Sequence, residues 1–329
     1  MNVETPTQVD VSVIGGGPTG ISACLELSKR RDLSIALFES ESEIGGIPRR
    51  CRLFFGMRDL KRIYTGPAYV KKLERLILKT SVTIYTNTTV LEIIAPKDSS
   101  HRIRIKVSSP HGFFIFESLF VLLATGCFES SQGSRLIPGT RPAGVYTTGS
   151  LQDWANLRGK RPGKRAVIVG SEYIALSSVL TLIKAGISIG GLVEESEYLS
   201  SNELLARAIS KYFRFPIYKK TSPIALKGYD RVEAIQLAAK EPRRSFDVAC
   251  DTVILTGKFR PDSAIIDSTT IQQDPVTLAP LVGRDFMTSQ PRIFAAGNIL
   301  GKAKMHDVCA LEGRRAARHI ITRIKAFGT

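Results

Sequence analysis

Residues 10–39 constrain the fold of this chain more than any other stretch. The strand-like run VSVI is followed by the glycine motif GGGPTG at residues 15–20, then by a helical run, and then by the strand LSIALFE, which ends on Glu39. Apolar residues change from a strand period to a helix period and back within about 30 residues, the size of a single βαβ unit. The order of strand, glycine turn, helix and acid-tipped strand therefore predicts a βαβ unit.

Each glycine of this motif has its own physical task. Gly15 permits a tight turn out of the buried strand, Gly17 lets the backbone approach a ligand because it has no Cβ, and Gly20 lets the helix pack closely on the sheet. The N–H groups at the start of the helix attract an anion, and Glu39, roughly 20 residues beyond the glycines, can accept hydrogen bonds from a ribose. The stretch predicts a dinucleotide site; the alternative is a glycine turn without ligand.

A second unit of the same kind begins with KRAVIVGSEYIA at residues 164–175 and reaches a second acid-tipped strand, ISIGGLVE. This repeat is altered where the ligand should lie, because Glu172 takes the place of the second glycine and Ala175 that of the third. A carboxylate facing a diphosphate costs on the order of one to several kcal/mol, which Lys164 and Arg165 could partly offset. We expect a second dinucleotide fold in which ordinary NAD(P)H binding is disfavoured.

Two such units predict an α/β fold with two Rossmann-like dinucleotide-binding domains, the second inserted in the first. A strand ending in Thr-Gly closes the second domain, and the strand RIFAAGN returns the chain to the first. We expect the first domain to consist of residues 1–155 and 257–329, and the degenerate second domain to occupy residues 156–256. At 329 residues the chain is long enough for both cores. Within the first domain, two alternating segments on either side of SPHG at residues 109–112 predict a β-hairpin.

The chain is strongly basic, with 46 Lys and Arg against 30 Asp and Glu and a formal net charge of +16. Basic residues are densest in residues 49–75 and 314–318. They could form a solvated surface or meet an acidic protein partner, and nucleic acid is the least favoured partner because no RNA-binding signature or basic tail accompanies them.

Apolar runs such as residues 118–124 are strand-sized and too short to span a bilayer. The amino terminus has no basic segment followed by an apolar run, so no secretory signal is expected. These features predict a cytoplasmic protein without an integral membrane segment.

Cysteine usage argues against metal and dithiol chemistry. Cys24, Cys51, Cys127, Cys250 and Cys309 are scattered singly, with no C-x-x-C pair and no spacing that suits zinc or an iron–sulfur cluster. We expect them to remain reduced and to behave as small apolar side chains.

Two residues could be interpreted as catalytic. Cys51 lies between Arg50 and Arg52, which could lower the pKa of its thiol, and His306 lies near the start of the final helix, where it could meet a cofactor. An ordinary loop cysteine and a surface or capping histidine are the simpler interpretations. We therefore assign no catalytic residue and no metal ligand.

The chain resembles the two-dinucleotide-domain flavoproteins that include thioredoxin reductase and the pyridine nucleotide–disulfide oxidoreductases, and the resemblance covers nearly its whole length. In that family the first glycine motif holds FAD, and a late strand ending in Ala-x-Gly-Asp contacts the ribityl-phosphate region of the flavin. Here that strand ends in AAGN, so Asn298 replaces the usual Asp but can still form hydrogen bonds. The family's active-site cysteine pair has no counterpart. The resemblance implies FAD in the first domain and leaves NAD(P)H, or another nucleotide, at the second site open.

Several segments contribute candidate FAD-binding residues. The Gly-Gly pair at residues 45–46 suggests a second backbone approach to the ligand, with a plain turn as the alternative, and Arg49 could neutralise diphosphate. Asp307 is a plausible cap for a final helix over residues 308–325, whose N-terminus could stabilise negative charge on the flavin's pyrimidine ring. The candidates are Gly15, Gly17, Pro18, Thr19, Gly20, Glu39, Ser40, Gly46, Arg49, Val90, Ala124, Thr125, Gly126, Gly297, Asn298 and Val308.

Four further segments resemble a narrower group: GGIPR at residues 45–49, FGMRD at residues 55–59, TGPAY at residues 65–69 and LIPGTRPAGV at residues 136–145. They are similar to the flavoprotein subunits that accompany an amino-acid-oxidase-like subunit in hydrogen cyanide synthase, opine oxidase and dye-linked proline dehydrogenases. The resemblance implies that the partner is an amino-acid-oxidase-like flavoprotein subunit, joined in some complexes by a small iron–sulfur protein, an element that this sequence lacks.

Three functions follow. The first is an electron-transfer subunit of a heteromeric amino-acid, amine or hydroxy-acid dehydrogenase or oxidase, in which FAD carries the chemistry. The second is a self-contained NAD(P)H-dependent flavin reductase that acts on a small-molecule or protein acceptor and tolerates Glu172. The third is a subunit that holds a nucleotide and is never reduced.

Overall fold

The structure is a computed structural model that describes residues 6–96 and 101–327; residues 1–5, part of the segment for which no secretory signal is expected, lie outside that range. The strands are β1 (Thr7–Ile14), β2 (Ile35–Phe38), β3 (Phe54–Phe55), β4 (Tyr64–Thr65), β5 (Thr83–Tyr85), β6 (Thr89–Ile94), β7 (Ile103–Ser109), β8 (Gly112–Leu123), β9 (Cys127–Glu129), β10 (Val145–Thr147), β11 (Arg165–Val169), β12 (Ser188–Val193), β13 (Ile217–Tyr218), β14 (Thr221–Lys227), β15 (Ala234–Ala239), β16 (Arg244–Ala249), β17 (Thr252–Leu255), β18 (Phe259–Pro261) and β19 (Ile293–Ala295). The helices are α1 (Pro18–Leu27), α2 (Gly66–Ile77), α3 (Thr148–Gln152), α4 (Tyr173–Lys184), α5 (Glu203–Phe213) and α6 (His306–Phe327).

The chain divides into two compact units. Unit 1 comprises Met1–Arg49, Phe54–Phe128 and Arg260–Thr329, and unit 2 comprises Arg50–Leu53 and Glu129–Phe259. The predicted domain limits, after residues 155 and 256, differ from these divisions and stay a prediction of where independently folding domains begin and end.

The main sheet of unit 1 has the strand order β5–β2–β1–β8–β7–β6, with β19 also beside β8. The strands β5, β2, β1, β8 and β19 run parallel, whereas β7 pairs antiparallel with both β8 and β6. Ile14 lies opposite Phe38 and Leu123, and Leu123 lies opposite Ala295. The strands β1, β2, β8 and β19 therefore all end at one edge of the sheet, which is where open α/β sheets bind ligands.

One face of this sheet is covered by α1, against which α6 packs. The helices approach closely because α6 has a glycine at the crossing: a Cβ built on Gly313 would lie 2.1 Å from the carbonyl oxygen of Thr19. Arg318 of α6 also donates to the carboxylate of Glu26 in α1, at 2.9 Å. The other face buries an aliphatic and aromatic cluster around Phe38, Ile105 and Phe116.

Unit 2 contains a parallel sheet of order β10–β17–β11–β12–β13 and an antiparallel sheet of order β14–β15–β16. In the parallel sheet Val169 lies opposite both Val193 and Leu255, so β11, β12 and β17 also end at a common edge. Apolar side chains on both faces of these strands are buried, which is why the strand sequences are almost continuously hydrophobic.

The fold prediction is confirmed: the main sheet of each unit contains parallel strands joined by a βαβ element, and unit 2 is inserted in unit 1. The predicted hairpin is confirmed as well, with Ser109 opposite Gly112 at its turn. Among the described residues no helix is both long and apolar enough to cross a bilayer.

The predicted start of the last helix was wrong. Helix α6 begins at His306 rather than at Val308, because the carbonyl of Met305 accepts hydrogen bonds from the N–H groups of Val308 (3.0 Å) and Cys309 (3.1 Å). Asp307 therefore lies inside the first turn, and its carboxylate accepts from Arg58 instead of capping the helix.

Candidate functional site

The glycine turn after β1 is packed on two sides and open on the third. A Cβ on Gly15 (φ +106°) would lie 2.5 Å from the carbonyl oxygen of Ala124, and one on Gly20 would lie 2.0 Å from that of Gly15. A Cβ on Gly17 would meet no heavy atom within 4 Å. Gly15 and Gly20 therefore serve the packing, whereas Gly17 exposes backbone to a space that a ligand can enter.

The first turn of α1 faces the same space. Gly17 is its N-cap with an extended backbone, Pro18 is at its first position, and no acidic residue lies in the first turn. The leading N–H groups of a helix have no intrahelical acceptor and carry the positive end of the helix dipole. This arrangement can bind a phosphate or diphosphate.

The carboxylate of Glu39 is buried and held in position by its neighbours. One oxygen accepts the N–H of Gly16 at 2.8 Å, and the other accepts the N–H of Glu41 at 2.8 Å and the hydroxyl of Ser40 at 3.2 Å. A carboxylate has about four lone-pair positions, so one remains for a ribose hydroxyl. The structure thus brings the acid tip of β2 to the glycine turn.

The Gly-Gly loop is attached directly to the glycine motif. The N–H of Gly45 donates to the carbonyl of Gly16 at 2.7 Å, and a Cβ on Gly46 (φ +58°) would lie 3.2 Å from the Cα of Gly17. Two glycine backbones therefore face each other across a narrow gap. A side chain at Gly46 would press on Gly17, whereas one at Gly17 would occupy space that the turn leaves open.

Arg49, which was expected to neutralise a diphosphate, forms ion pairs with two glutamates instead. Its guanidinium pairs with Glu41 at 3.0 Å and with Glu43, and only 16% of its side chain is exposed. These ion pairs close the loop between β2 and the Gly-Gly pair. The neutralising role of Arg49 stays a prediction that requires these pairs to rearrange.

Val90 is half-buried in β6, two residues after Thr88. The N–H of Thr88 donates to the carbonyl of Glu39 at 2.8 Å, which places the segment leading into β6 beside the acid tip. Val90 itself lies opposite Val107 of the neighbouring strand. The segment that leads into β6 is thus near the place expected for a nucleotide's ribose, and a contact from Val90 itself stays a prediction.

The end of β8 supplies a second open glycine. Gly126 has φ +85°, and a Cβ there would meet nothing within 4 Å. The side chain of Thr125 is fixed by its hydroxyl, which donates to the carbonyl of Asp262 at 2.6 Å. Ala124 pairs with the end of β1 through its N–H, which donates to Ile14 at 2.8 Å.

The residues after β19 reach the glycine motif through α1. A Cβ on Gly297 (φ +83°) would lie 2.3 Å from the hydroxyl of Thr19, so only glycine fits there. The carboxamide of Asn298 accepts from the N–H of Lys304 at 2.8 Å and from the thiol of Cys309 at 3.1 Å. Asn298 therefore orders the loop before α6, and its side chain is not directed only toward a ligand.

The first turn of α6 contacts the segment around Phe55 and Arg58 through the side chains of His306 and Asp307. Arg58 pairs with Asp307 at 3.1 Å, and the ring of His306 meets that of Phe55 edge to face at 5.0 Å. Burial lowers the pKa of His306 to about 4, so its imidazole is neutral at pH 7. The N–H of Val308 donates to Met305 rather than pointing into open space.

Below this turn, the buried carboxylate of Asp59 accepts from the hydroxyl of Tyr69 at 2.7 Å. Burial, with the nearby negative charge of Asp307, raises the pKa of Asp59. Each residue ends one of the segments that carry the narrower resemblance, FGMRD and TGPAY, but nothing in the sequence pairs the two, because their contact depends on the packing of α2.

Unit 2 contains a counterpart of the same turn in which a side chain fills the open space. Glu172 is the N-cap of α4 with the same extended backbone that Gly17 has at α1. Its carboxylate accepts from the hydroxyl of Thr256 at 2.8 Å, and a Cβ on Gly257 would lie 2.0 Å from its other oxygen. Gly257 corresponds to the open Gly126 of unit 1.

The acid tip of unit 2 is directed as in unit 1. Glu194 accepts hydrogen bonds from the hydroxyl of Ser171 and from the N–H of Ser196, the latter at 2.8 Å. These are the positions of the two main donors to Glu39, with a hydroxyl replacing one N–H. The two units thus share a frame and differ at the place where a diphosphate would lie.

Two further residues, which the sequence did not point to, form hydrogen bonds with the backbone directly after β17. The carboxylate of Glu129 accepts from Gly149 at 3.0 Å and from Gly257 at 3.2 Å, and burial raises its pKa. Arg135 donates to the carbonyls of Thr256 and Gly257, each at 2.8 Å. Both residues lie far before β17 in the chain, so no local pattern could reveal these contacts.

Cys51 is not placed for chemistry. It is buried in unit 2 with its sulfur 3.6 Å from the hydroxyl of Ser177, and burial raises the pKa of its thiol. Raising that pKa leaves less of the reactive thiolate at neutral pH. Among the described residues no group of three His, Cys, Asp or Glu side chains is arranged to hold a metal ion.

Comparison with known sequences supports the nucleotide-binding interpretation. A model of the family described as pyridine nucleotide-disulphide oxidoreductase matches residues 9–313. The NADPH glutamate synthase small chain of Escherichia coli is 25% identical over 94% of this chain and 68% of its own length. An opine oxidase subunit from Agrobacterium tumefaciens is 22% identical over 97% of this chain and 67% of its own length. Hydrogen cyanide synthase subunit HcnB of Pseudomonas aeruginosa is 28% identical over 55% of this chain and 38% of its own length.

Solved structures with the same fold include two oxidoreductases. The T. acidophilum thioredoxin reductase superposes with a TM-score of 0.82 at 16% identity, covering 96% of this chain and 99% of that one. The L-proline dehydrogenase from P. horikoshii superposes with a TM-score of 0.72 at 21% identity, covering 98% of this chain and 57% of that one. These findings confirm the resemblance inferred from the sequence motifs.

Proposed function

Because the chain belongs to the pyridine nucleotide-disulphide oxidoreductase family and is an FAD-dependent oxidoreductase, we propose that it is the electron-transfer subunit of a heteromeric amino-acid dehydrogenase or oxidase. Substrates of the whole complex could equally be related amines or hydroxy acids. The partner in this proposal is an amino-acid-oxidase-like flavoprotein subunit, in some complexes together with a small iron–sulfur protein.

The residues of unit 1 fit FAD. The diphosphate would lie on Gly17 and the first turn of α1, where a Cβ would meet nothing and the N–H groups point outward. The ribose would bind Glu39, whose carboxylate is already oriented by the N–H of Gly16. Gly46 and Gly126 would let backbone approach the cofactor from two further sides. Bound FAD would supply the redox chemistry, and these residues would bind and orient it.

The observation that carries the proposal is the contrast between the two glycine turns. In unit 1 the positions of Gly17 and Gly126 are open, and in unit 2 the corresponding space is filled by the carboxylate of Glu172 over Gly257. A nicotinamide dinucleotide would have to displace Glu172 and place its diphosphate beside a like charge. We infer that electrons reach the flavin from a partner protein rather than from NAD(P)H.

The relatives are consistent with this interpretation. Two are named as subunits, of hydrogen cyanide synthase and of opine oxidase, and one as a small chain. A chain that depends on a partner needs no acid, base or nucleophile of its own. This agrees with a buried Cys51 whose thiol pKa is raised and with a neutral His306.

The alternative is a self-contained NAD(P)H-dependent flavin reductase. It is favoured by relatives named for nicotinamide dinucleotides, the NADPH glutamate synthase small chain and the ferredoxin–NADP reductases. In that function Glu172 would turn away from Gly257 when the dinucleotide binds. A third function, a nucleotide-holding subunit that is never reduced, has no contact in unit 1 that favours it over the first.

The two main functions differ in one spectroscopic experiment. The purified, FAD-loaded protein is mixed anaerobically with NADH or NADPH while the visible absorbance of the flavin is followed. We expect no bleaching with either nucleotide and full bleaching with dithionite. Rapid bleaching by NADH or NADPH would rule out the pure electron-transfer subunit, and a colourless protein that cannot take up FAD would leave the nucleotide-holding subunit.

A further inference from the structure

A short β-hairpin in unit 1 presents an apolar outer face. In this hairpin β3 pairs antiparallel with β4, with Phe54 opposite Thr65 and Phe55 opposite Tyr64. Side chains alternate between the two faces of a strand, so Phe55 and Phe54 point in opposite directions. Phe55 is 3% exposed and Phe54 is 61% exposed. Ile63 precedes Tyr64, falls on the outer face with Phe54, and is also 61% exposed.

The loop of the hairpin carries a third exposed apolar side chain. The carbonyl of Gly56 accepts the N–H groups of Leu60 at 2.9 Å and Arg62 at 3.3 Å, which holds the loop in one shape. Met57, directly after Gly56, is 55% exposed. Large apolar side chains clustered in an ordered, exposed element commonly mark an interaction site.

The same loop carries an excess of positive charge. Lys61 and Arg62 are exposed, and neither forms an ion pair with any residue in the described part of the chain. Arg58 is paired with Asp307, and the loop's only carboxylate, Asp59, is buried against Tyr69. We use the name hairpin patch for Phe54, Met57, Lys61, Arg62 and Ile63.

The inner face of the hairpin is tied to the start of α6. Phe55 stacks edge to face on His306 at 5.0 Å, and Arg58 reaches Asp307 in the first turn of that helix. The hairpin patch is therefore separated from the first turn of α6 by a single layer of side chains. The sequence-based expectation places the flavin's pyrimidine ring at the N-terminus of this helix, so the patch is a short path between the flavin and the surface.

We propose that the hairpin patch docks a separate redox subunit that presents an apolar surface ringed by carboxylates. This inference rests on the proposed function, which requires a protein that exchanges electrons with the flavin. Phe, Met and Arg side chains are enriched at protein interfaces, and an apolar centre with a charged rim is their usual anatomy. A second copy of this chain would bring Lys61 and Arg62 against like charges in a molecule of net charge +16, which disfavours self-association.

The test uses a probe of the stated chemistry, a bacterial flavodoxin, which is a small acidic flavoprotein, and compares it with cytochrome c, a small basic redox protein. Binding of each to the immobilised, FAD-loaded chain is measured by biolayer interferometry at several salt concentrations. The variants are Lys61→Glu/Arg62→Glu and Phe54→Ser/Ile63→Ser. The matched control is Lys240→Glu/Arg243→Glu, which makes the same change of net charge at exposed positions of unit 2.

We expect flavodoxin to bind, binding to weaken as salt rises, and both hairpin variants to raise the Kd at least about tenfold while the control changes it less than about twofold. Carbodiimide, which joins a carboxylate to a lysine in direct contact, should couple flavodoxin to Lys61 and not to Lys240. Equal losses in the hairpin and control variants would overturn the proposal, since they would indicate diffuse charge attraction. Tighter binding of cytochrome c than of flavodoxin, or dimerisation of the chain through Phe54 and Ile63, would overturn it as well.

These outcomes are independent of those that decide the proposed function. Bleaching of the flavin by NADH tests the space over Gly257, and the hairpin variants leave that space unchanged. If NADH does not reduce the flavin and the Lys61 variant binds flavodoxin as the wild type does, the proposed function stands and the proposed docking surface is wrong.

Discussion

The carboxylate of Glu172 lies directly over Gly257, so close that a Cβ on that glycine would come within 2.0 Å of Glu172 Oε1. In unit 1 the corresponding pair is Gly17 and Gly126, and both are open. One residue thus distinguishes a glycine turn that can accept a diphosphate from one that is already filled.

Replacing Glu172 by glycine should open unit 2 to dinucleotides. The change removes both the side chain over Gly257 and its negative charge, and glycine at a helix N-cap costs only a few tenths of a kcal/mol. We expect ADP-ribose, measured by isothermal titration calorimetry, to bind the variant at least about tenfold more tightly than the wild type. Glu195→Ala, which removes an exposed carboxylate shortly after β12 in the same unit, is the control. Equal affinities for Glu172→Gly and the wild type would contradict the assignment.

Gly17 and Gly20 should respond differently to a side chain. Gly17→Ala adds a methyl group in open space at ordinary φ, so the melting temperature should stay within a few degrees while FAD content falls. Gly20→Ala puts a methyl 2.0 Å from the carbonyl oxygen of Gly15 and should cost about 1–3 kcal/mol of unfolding free energy. Thermal unfolding and the ratio of flavin to protein absorbance separate the two effects. Full FAD content in Gly17→Ala would argue against a diphosphate on that turn.

His306 should make the stability of the protein depend on pH on the acid side. Its folded pKa is lowered to about 4 by burial, against 6.5 ordinarily, so between those values the unfolded chain binds a proton that the folded chain does not. The free energy of unfolding should therefore fall as the pH drops from 6.5 toward 4, by about 1–2 kcal/mol at pH 5. Urea unfolding at pH 7 and pH 5 measures this fall, and in His306→Gln it should be smaller. An identical fall in the variant would assign it to other groups.

Asp59 should make the stability depend on pH with the opposite sign, also on the acid side. Burial raises its folded pKa, so its ionised form is disfavoured in the folded protein and the unfolding free energy falls as pH rises above the ordinary value of 3.8. Asp59→Asn keeps an oxygen that accepts from Tyr69 and removes the buried charge. At pH 8 we expect the variant to be more stable than the wild type by about 1 kcal/mol, with the difference shrinking toward pH 4. A less stable variant at pH 8 would mean that the attraction between Asp59 and Arg314 stabilises the fold by more than the burial of the charge destabilises it.

Much of the fold and part of the site follow from local patterns. The two βαβ units, the turn between β7 and β8, and the grouping of the glycine motif with Glu39 were predicted because each depends on residues within about 30 positions of one another. The start of α6 was not, since it depends on Met305 providing the first carbonyl and on Arg58 drawing Asp307 away from the cap.

The sequence by itself determined the βαβ periodicity, the need for glycine at Gly15 and Gly20, and the presence of a carboxylate at position 172, because these follow from residue type and spacing. Only the tertiary structure decided that Glu172 covers Gly257, that Arg49 is engaged by two glutamates, and that Phe54 faces outward while Phe55 is buried. The physical reason is distance along the chain: a rotamer, an ion pair or the buried face of a strand is chosen by neighbours that only folding brings into contact.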